Sequence, residues 1–347
     1  MSIQNKVVTH ENLMNFLSDI IASGKELYAP QRKGLKTYFH PVNDVQAIVF
    51  DYIQTTFSPK SLLFPKVERL LSYTRDGKQI HVTDSSEQKQ APDRILFGSR
   101  PCDAAGLQTV TEFFRRDISD AYIQRRQNAL TIISVSCVKS NQYCFCTSVG
   151  ILPGDTAGSD ILLTPIENAR YFVEAVTEKG SLLLVQYGKY FEQSEAIAKE
   201  QHLAKVLKTF SSTEISERLT GSFDNPIWKY ASLRCIGCGT CAYVCPVCSC
   251  FDIQDEGTNK KGDRLRCWDS CGFSLFTLHT SGHNPRSTQS ERWRQRVMHK
   301  FSYMPDQFEM LGCVGCGRCS QSCPADMNIK EQLLEIASKV GTVPEST

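Results

Sequence analysis

The feature that most constrains this 347-residue chain is a cysteine pattern that occurs twice in its C-terminal third. Each copy has gaps of two, two and three residues and ends in proline; the copies are Cys235, Cys238, Cys241, Cys245 and Pro246, and Cys313, Cys316, Cys319, Cys323 and Pro324. Three thiolates at this spacing can surround one face of a four-iron cube, while the fourth points elsewhere. The pattern therefore predicts a fold organised around bound iron-sulfur clusters.

In doubled runs of this kind, the fourth cysteine of each copy binds the cluster of the other copy. We therefore predict two [4Fe-4S] clusters, the first held by Cys235, Cys238, Cys241 and Cys323 and the second by Cys313, Cys316, Cys319 and Cys245. Glycines fall where the chain must turn tightly, at Gly237, Gly239, Gly315 and Gly317. Structural zinc is the alternative, but a zinc knuckle has no use for the third cysteine or for the Cys-Pro pair.

Four more cysteines precede the repeat, namely Cys102, Cys137, Cys144 and Cys146. Cys102 follows one predicted strand, Cys137 ends another, and the remaining two lie in the next loop. Because ligand sites form where the carboxyl ends of parallel strands meet, these thiols predict a third [4Fe-4S] cluster. Buried apolar thiols or a zinc site are the alternatives. The last quartet is interpreted mainly as packing thiols, with a fourth metal site as the lesser alternative: Cys248, Cys250, Cys267 and Cys271.

Composition excludes several classes of protein. Sixteen cysteines exceed what packing needs in a chain that is 41% hydrophobic. No export signal follows Met1, so thiols in a reducing cytoplasm are expected rather than disulfides. A net charge of +2 argues against nucleic-acid binding, and no apolar run approaches the ~20 residues needed for membrane insertion. The basic segment 279–300 is interpreted either as compensation for cluster charge or as a solvated face.

The arrangement of elements predicts two domains. Residues 1–222 are expected to form an α/β domain that carries the extra cluster site, and residues 223–347 an α-rich, ferredoxin-like dicluster domain. Helices are predicted at 11–21, 65–71, 104–115 and 328–339, and strands at 45–50, 95–98, 131–136, 161–164 and 181–186. Neither G-x-G-x-x-G nor a P-loop is present, so we expect flavin and nicotinamide to be bound by another polypeptide.

Several short segments resemble a known family. They are Arg100-Pro101-Cys102-Asp103, Cys144-Phe145-Cys146-Thr147-Ser148, Cys245-Pro246-Val247-Cys248-Ser249-Cys250-Phe251-Asp252, Trp268-Asp269-Ser270-Cys271, Gly282-His283-Asn284-Pro285-Arg286 and His299-Lys300-Phe301. From about residue 95 to 336, the chain resembles the dicluster iron-sulfur family that includes the β subunit of cytoplasmic sulfhydrogenases and the corresponding iron-sulfur subunit of anaerobic sulfite reductase.

This resemblance implies an electron-transfer subunit of a cytoplasmic hetero-oligomer. It would lie between a subunit that binds FAD and oxidises NAD(P)H and a catalytic subunit that carries nickel-iron or sirohaem. The four N-terminal cysteines match family cysteines, as do Cys248, Cys250 and Cys271, whereas Cys267 departs from the pattern. A self-contained iron-sulfur reductase with a substrate-binding cluster and an iron-sulfur redox sensor are the alternatives, and no catalytic residue is predicted.

Overall fold

The computed structural model describes residues 5–86 and 91–340. Its strands are β1 (Asn5–Thr9), β2 (Glu26–Lys33), β3 (Lys36–Pro41), β4 (Val67–Asp76), β5 (Gln79–Asp84), β6 (Arg94–Ser99), β7 (Leu130–Val135), β8 (Ile161–Ile166), β9 (Arg170–Ala175), β10 (Glu192–Gln193), β11 (Phe251–Gly257) and β12 (Lys261–Trp268). Its α-helices are α1 (His10–Ala22), α2 (Pro101–Arg115), α3 (Ala121–Ala129), α4 (Glu178–Gln186), α5 (Ser212–Leu219), α6 (Ile227–Ala231), α7 (Thr240–Tyr243), α8 (Gln289–Met298), α9 (Met304–Phe308), α10 (Arg318–Gln321) and α11 (Ile329–Val340).

The N-terminal region is built on an eight-stranded sheet in the order β10-β1-β9-β8-β7-β6-β2-β3. Strands β2, β6, β7 and β8 run parallel, and the remaining pairs are antiparallel. Successive residues of a strand face opposite sides of its sheet. Accordingly, Ile95 and Phe97 of β6 join a core that includes α1, while Leu96 joins one that includes α2. The sheet is therefore covered on both faces, as an α/β domain requires.

A second, four-stranded sheet has the order β11-β12-β4-β5. The hairpin β11–β12, which lies between the two cysteine repeats, pairs antiparallel with β4 of the N-terminal region. Buried Arg266 of β12 forms ion pairs with Glu68 of β4 and with Asp120. The hairpin thereby ties the repeat to the preceding part of the chain. The predicted boundary at residue 222 stays a prediction.

Most of the predicted elements are confirmed. The α/β character of the N-terminal region is confirmed, and the structure contains the helices predicted at 11–21, 104–115 and 328–339 and the strands predicted at 95–98, 131–136 and 161–164. Three assignments are wrong. Residues 65–71 enter β4 because β12 pairs with them, and 45–50 contain only a short 3-10 turn at Val45–Ala47. Residues 181–186 belong to α4, which begins where the Thr177 side chain accepts from the N–H of Gly180.

The C-terminal region packs short helices around the cysteine loops. Its core contains buried residues of α5, α6, α8 and α11, and four cysteines pack partly buried against it: Cys235, Cys313, Cys319 and Cys323. The prediction for residues 223–347 did not include the hairpin β11–β12. Within the described ranges, no helix is both long and apolar enough to cross a membrane.

Candidate iron-sulfur sites

The four cysteines predicted for the first cluster line one cavity. It encloses about 580 Å³, part of it open to solvent, and its thiols are Cys235, Cys238, Cys241 and Cys323. The structure thus brings the fourth cysteine of the second copy to the three leading cysteines of the first. Cys319 lines the same cavity, and Cys238 is exposed to solvent.

Polar groups surround the thiols of this first site. The Gln289 side chain donates from Nε2 to Cys235 Sγ at 3.1 Å, and the backbone N–H of Met327 donates to Cys323 Sγ at 3.3 Å. Gly239 has φ +72°, and a Cβ there would lie 2.4 Å from the Phe273 ring, so only glycine fits. Hydrogen bonds to a ligating sulfur help to set the reduction potential of a cluster.

Two of the cysteines predicted for the second cluster, Cys245 and Cys313, lie near Lys300. Its Nζ donates to Cys245 Sγ at 3.7 Å and to the carbonyl of Gly312 at 2.6 Å. The sulfurs of Cys245 and Cys313 both act electrostatically on Lys300, and Cys316 acts on Cys245 and Cys313. Lys300 lies in the π-helical turn His299–Tyr303 between α8 and α9. Such turns often mark functional positions, and this one places an ammonium group beside the thiols.

All four N-terminal cysteines line another cavity, the one predicted for the third cluster. It measures about 430 Å³ and is open in part to solvent; the cysteines are Cys102, Cys137, Cys144 and Cys146. Strands β6 and β7 are parallel, so their carboxyl ends bring Cys102 and Cys137 to one edge of the sheet. The Arg100 guanidinium lines the same cavity and donates to backbone carbonyls, including that of Ser136 at 3.3 Å. The fold therefore brings the four thiols of the predicted quartet together.

The second motif packs directly against the N-terminal quartet. The N–H of Phe145 donates to the carbonyl of Gly315 at 2.9 Å, and Cys316 lines the cavity of the quartet. Arg318 forms an ion pair with Asp103 at 2.7 Å, with both side chains almost wholly buried. Asp103 directly follows Cys102, and Arg318 lies two positions after Cys316. The contacts join the two halves of the molecule at the thiol sites.

Four of the predicted ligand thiols hold their protons tightly when no metal is bound. Burial raises the pKa of Cys137 to about 11 and the pKa values of Cys146, Cys241 and Cys313 to about 12. These sites therefore favour neutral thiols unless a metal displaces the protons. In the described part of the chain, no three His, Cys, Asp or Glu side chains are placed to hold a single metal ion. The side chains that line the two cavities are thiols, the ligands that iron-sulfur clusters use.

Two cations predicted from the basic segment lie beside thiols. Arg296 donates to Cys248 Sγ at 3.7 Å, as Lys300 does to Cys245, which favours the charge-compensation interpretation for these two residues. Arg294 instead lies over the Phe223 ring at 3.6 Å. Sequence reasoning missed Lys60, which lies outside the motifs and reaches the cysteines only through the tertiary fold. It also missed Arg318, which lies inside the second motif but whose partner Asp103 is distant in sequence.

Comparison with known proteins agrees with these sites. Residues 234–327 match the family described as "4Fe-4S dicluster domain". The chain is also 28% identical to the "Sulfhydrogenase 2 subunit beta" of Pyrococcus furiosus over 320 residues, which is 89% of this chain and 92% of the relative. The predicted resemblance is therefore confirmed: the chain carries a 4Fe-4S dicluster domain that provides for two [4Fe-4S] clusters, and it is related over most of its length to the β subunit of a sulfhydrogenase.

Proposed function

We propose that this chain is an iron-sulfur subunit that relays electrons between a subunit that binds FAD and NAD(P)H and a catalytic redox subunit of the hydrogenase, sulfur reductase or sulfite reductase type. The observation that carries the proposal is the order of the thiol sites. Cys316 lines the cavity of the N-terminal quartet and Cys319 lines the first cavity, and both are predicted ligands of the second cluster. In this proposal, the second cluster lies between the other two.

The role of the chain is to hold one-electron carriers in a row and to adjust their environment. In this proposal, three [4Fe-4S] clusters are held by Cys235, Cys238, Cys241 and Cys323, by Cys313, Cys316, Cys319 and Cys245, and by Cys102, Cys137, Cys144 and Cys146. Lys300 and Arg100 place positive charge beside the second and third sets. Positive charge near an anionic cluster favours its reduced state.

Both ends of the row reach the surface beside exposed apolar side chains. Near the first site, Leu233 and Ile236 are 77% and 69% exposed. Near the third, Leu152 and Val138 are 59% and 42% exposed. Apolar groups exposed beside an electron-entry or electron-exit point are typical of a surface that docks a partner. Two separate surfaces suit a subunit that contacts one partner at each end.

The name of the relative indicates the kind of assembly that we propose. Its name describes it as a subunit of a sulfhydrogenase, and the chain covers 92% of its length. We accordingly propose a cytoplasmic hetero-oligomer in which the partner subunits bind the flavin, the nicotinamide and the catalytic metal centre.

The test uses the purified complex under anaerobic conditions. We expect NAD(P)H to reduce the clusters only when the flavin subunit is present, and the Cys137→Ser/Cys144→Ser variant to lose about four irons and most electron flow between the partners. Flavin reduction by NAD(P)H should remain normal in that variant, and Cys267→Ser should behave as wild type. Turnover of hydrogen or sulfite by the isolated chain would instead indicate a self-contained reductase and overturn the relay.

A further inference from the structure

Cysteines outside the doubled motif form a separate group next to Cys245. The thiols of Cys245 and Cys248 interact with each other, as do those of Cys250 and Cys271. The hairpin β11–β12 explains the second pair. Its strands pair from Phe251 with Trp268 onward, so the residues just before β11 and just after β12 lie close together. The N–H of Asp269 then donates to the carbonyl of Cys250 at 3.0 Å. Thiols distant in sequence are thus held together by a local fold.

Three buried cations surround this group. Lys60, Arg296 and Lys300 are 2%, 4% and 5% exposed. Lys60 Nζ donates to the carbonyl of Cys248 at 2.6 Å and lies 3.9 Å from the centre of the Trp268 ring. Arg296 and Lys300 each donate to a sulfur, at 3.7 Å in both cases. The cations come from three different elements and converge on one group of thiols.

These three cations lie beside cysteines rather than carboxylates. In residues 5–86 and 91–340, none of the three forms an ion pair with Asp or Glu, whereas buried Arg266 and Arg318 do. An isolated buried charge is so costly that it is normally neutralised or paired. Thiolates bound to metal would supply the missing negative charge.

We propose that Cys248, Cys250 and Cys271 bind a further iron-sulfur cluster, distinct from the two clusters of the doubled motif, and that Lys60, Arg296 and Lys300 balance its charge. Cys245 remains a ligand of the second cluster and places the new site directly against it. The hairpin β11–β12 is then the scaffold of a cluster site as well as the link to β4. This inference does not depend on the third cluster of the relay.

The first test counts iron and acid-labile sulfide in the full chain purified anaerobically. We expect Cys248→Ser/Cys250→Ser/Cys271→Ser to contain about four irons and four sulfides fewer than wild type. The matched control is Cys267→Ser, because Cys267 lies in the same hairpin with its sulfur 4.0 Å from Gln254 Oε1 and outside the group. Full iron content in the triple variant, or zinc in place of iron in wild type, would overturn the proposal.

A second test needs no variant. Native protein is alkylated anaerobically before and after iron chelation, and modified cysteines are located by mass spectrometry. We expect Cys250 and Cys271 to be protected until iron is removed, and Cys267 to react equally in both states. Rapid alkylation of Cys250 and Cys271 in iron-loaded protein would refute the site. Failure of Cys137→Ser/Cys144→Ser to lose iron would count against the third cluster alone and leave this site unaffected.

Discussion

The C-terminal repeat and the N-terminal quartet hold the same kind of thiols by different means. In the repeat, four cysteines pack against the regional core itself: Cys235, Cys313, Cys319 and Cys323. The N-terminal cysteines instead lie at one edge of a sheet whose main core contains no cysteine. Apolar burial can therefore stabilise the N-terminal scaffold without metal, whereas metal forms part of the folded structure in the repeat.

Removal of iron should produce the largest difference in hydrogen-exchange protection between the two regions. After anaerobic chelation, we expect amide protons around 235–245 and 313–323 to exchange within the dead time of a hydrogen-exchange experiment, because these loops lose their central ligand. Amides of β6 and β7 should keep most of their protection, since these strands lie between two apolar cores. Mass spectrometry of exchanged peptides measures both regions in one sample. Equal loss of protection in β7 and in 313–323 would show that the N-terminal scaffold also depends on metal.

The next largest effect concerns the ion pair that joins the two regions. Arg318→Met leaves the Asp103 carboxylate buried without its partner, so we expect a loss of about 3–5 kcal/mol in the free energy of unfolding. Asp103→Asn/Arg318→Met should recover much of that loss, because it removes both charges. Urea unfolding under anaerobic conditions measures the three variants.

The control for this cycle is the exposed pair between Arg264 and Asp255, which has a similar distance of 2.7 Å. Because both side chains are about half exposed, Arg264→Met should change the unfolding midpoint little. Similar midpoints for Arg318→Met and Arg264→Met would mean that the buried pair does not hold the two regions together.

The same contrast explains what sequence could predict. The spacing of the doubled motif is local information, and the four cysteines that it assigns to the first cluster line one cavity, together with Cys319. The N-terminal quartet was also predictable, because Cys102 and Cys137 each follow a strand and parallel strands share an edge. Both predictions used only local features of the sequence, namely the spacing of a motif and the positions where predicted strands end.

Other features depend on contacts between distant segments, which periodicity does not report. Residues 65–71 have helical periodicity, but their pairing with β12 makes them a strand. Lys60 lies 188 residues from Cys248 in sequence, and only the tertiary fold brings its Nζ to the carbonyl of Cys248. The group of Cys248, Cys250 and Cys271 requires the hairpin to close, and the sequence prediction treated these thiols as packing.

The smallest expected effect concerns the seam between the two regions, where Gly315 of the second motif lies against Cys146 of the N-terminal quartet. Gly315 has φ +62°, and a Cβ there would lie 2.5 Å from the backbone N and Cα of Cys146. Gly282 has φ +83° but no heavy atom within 4 Å of the same position, so its substitution reports backbone conformation alone. We expect Gly282→Ala to cost about 1 kcal/mol and Gly315→Ala about 1–3 kcal/mol in the free energy of unfolding. Gly315→Ala should also lower iron in the N-terminal site, because the loop that carries Cys144 and Cys146 must move away from the second motif. If the two variants unfold alike and keep equal iron, the close approach at the seam does not position the N-terminal ligands.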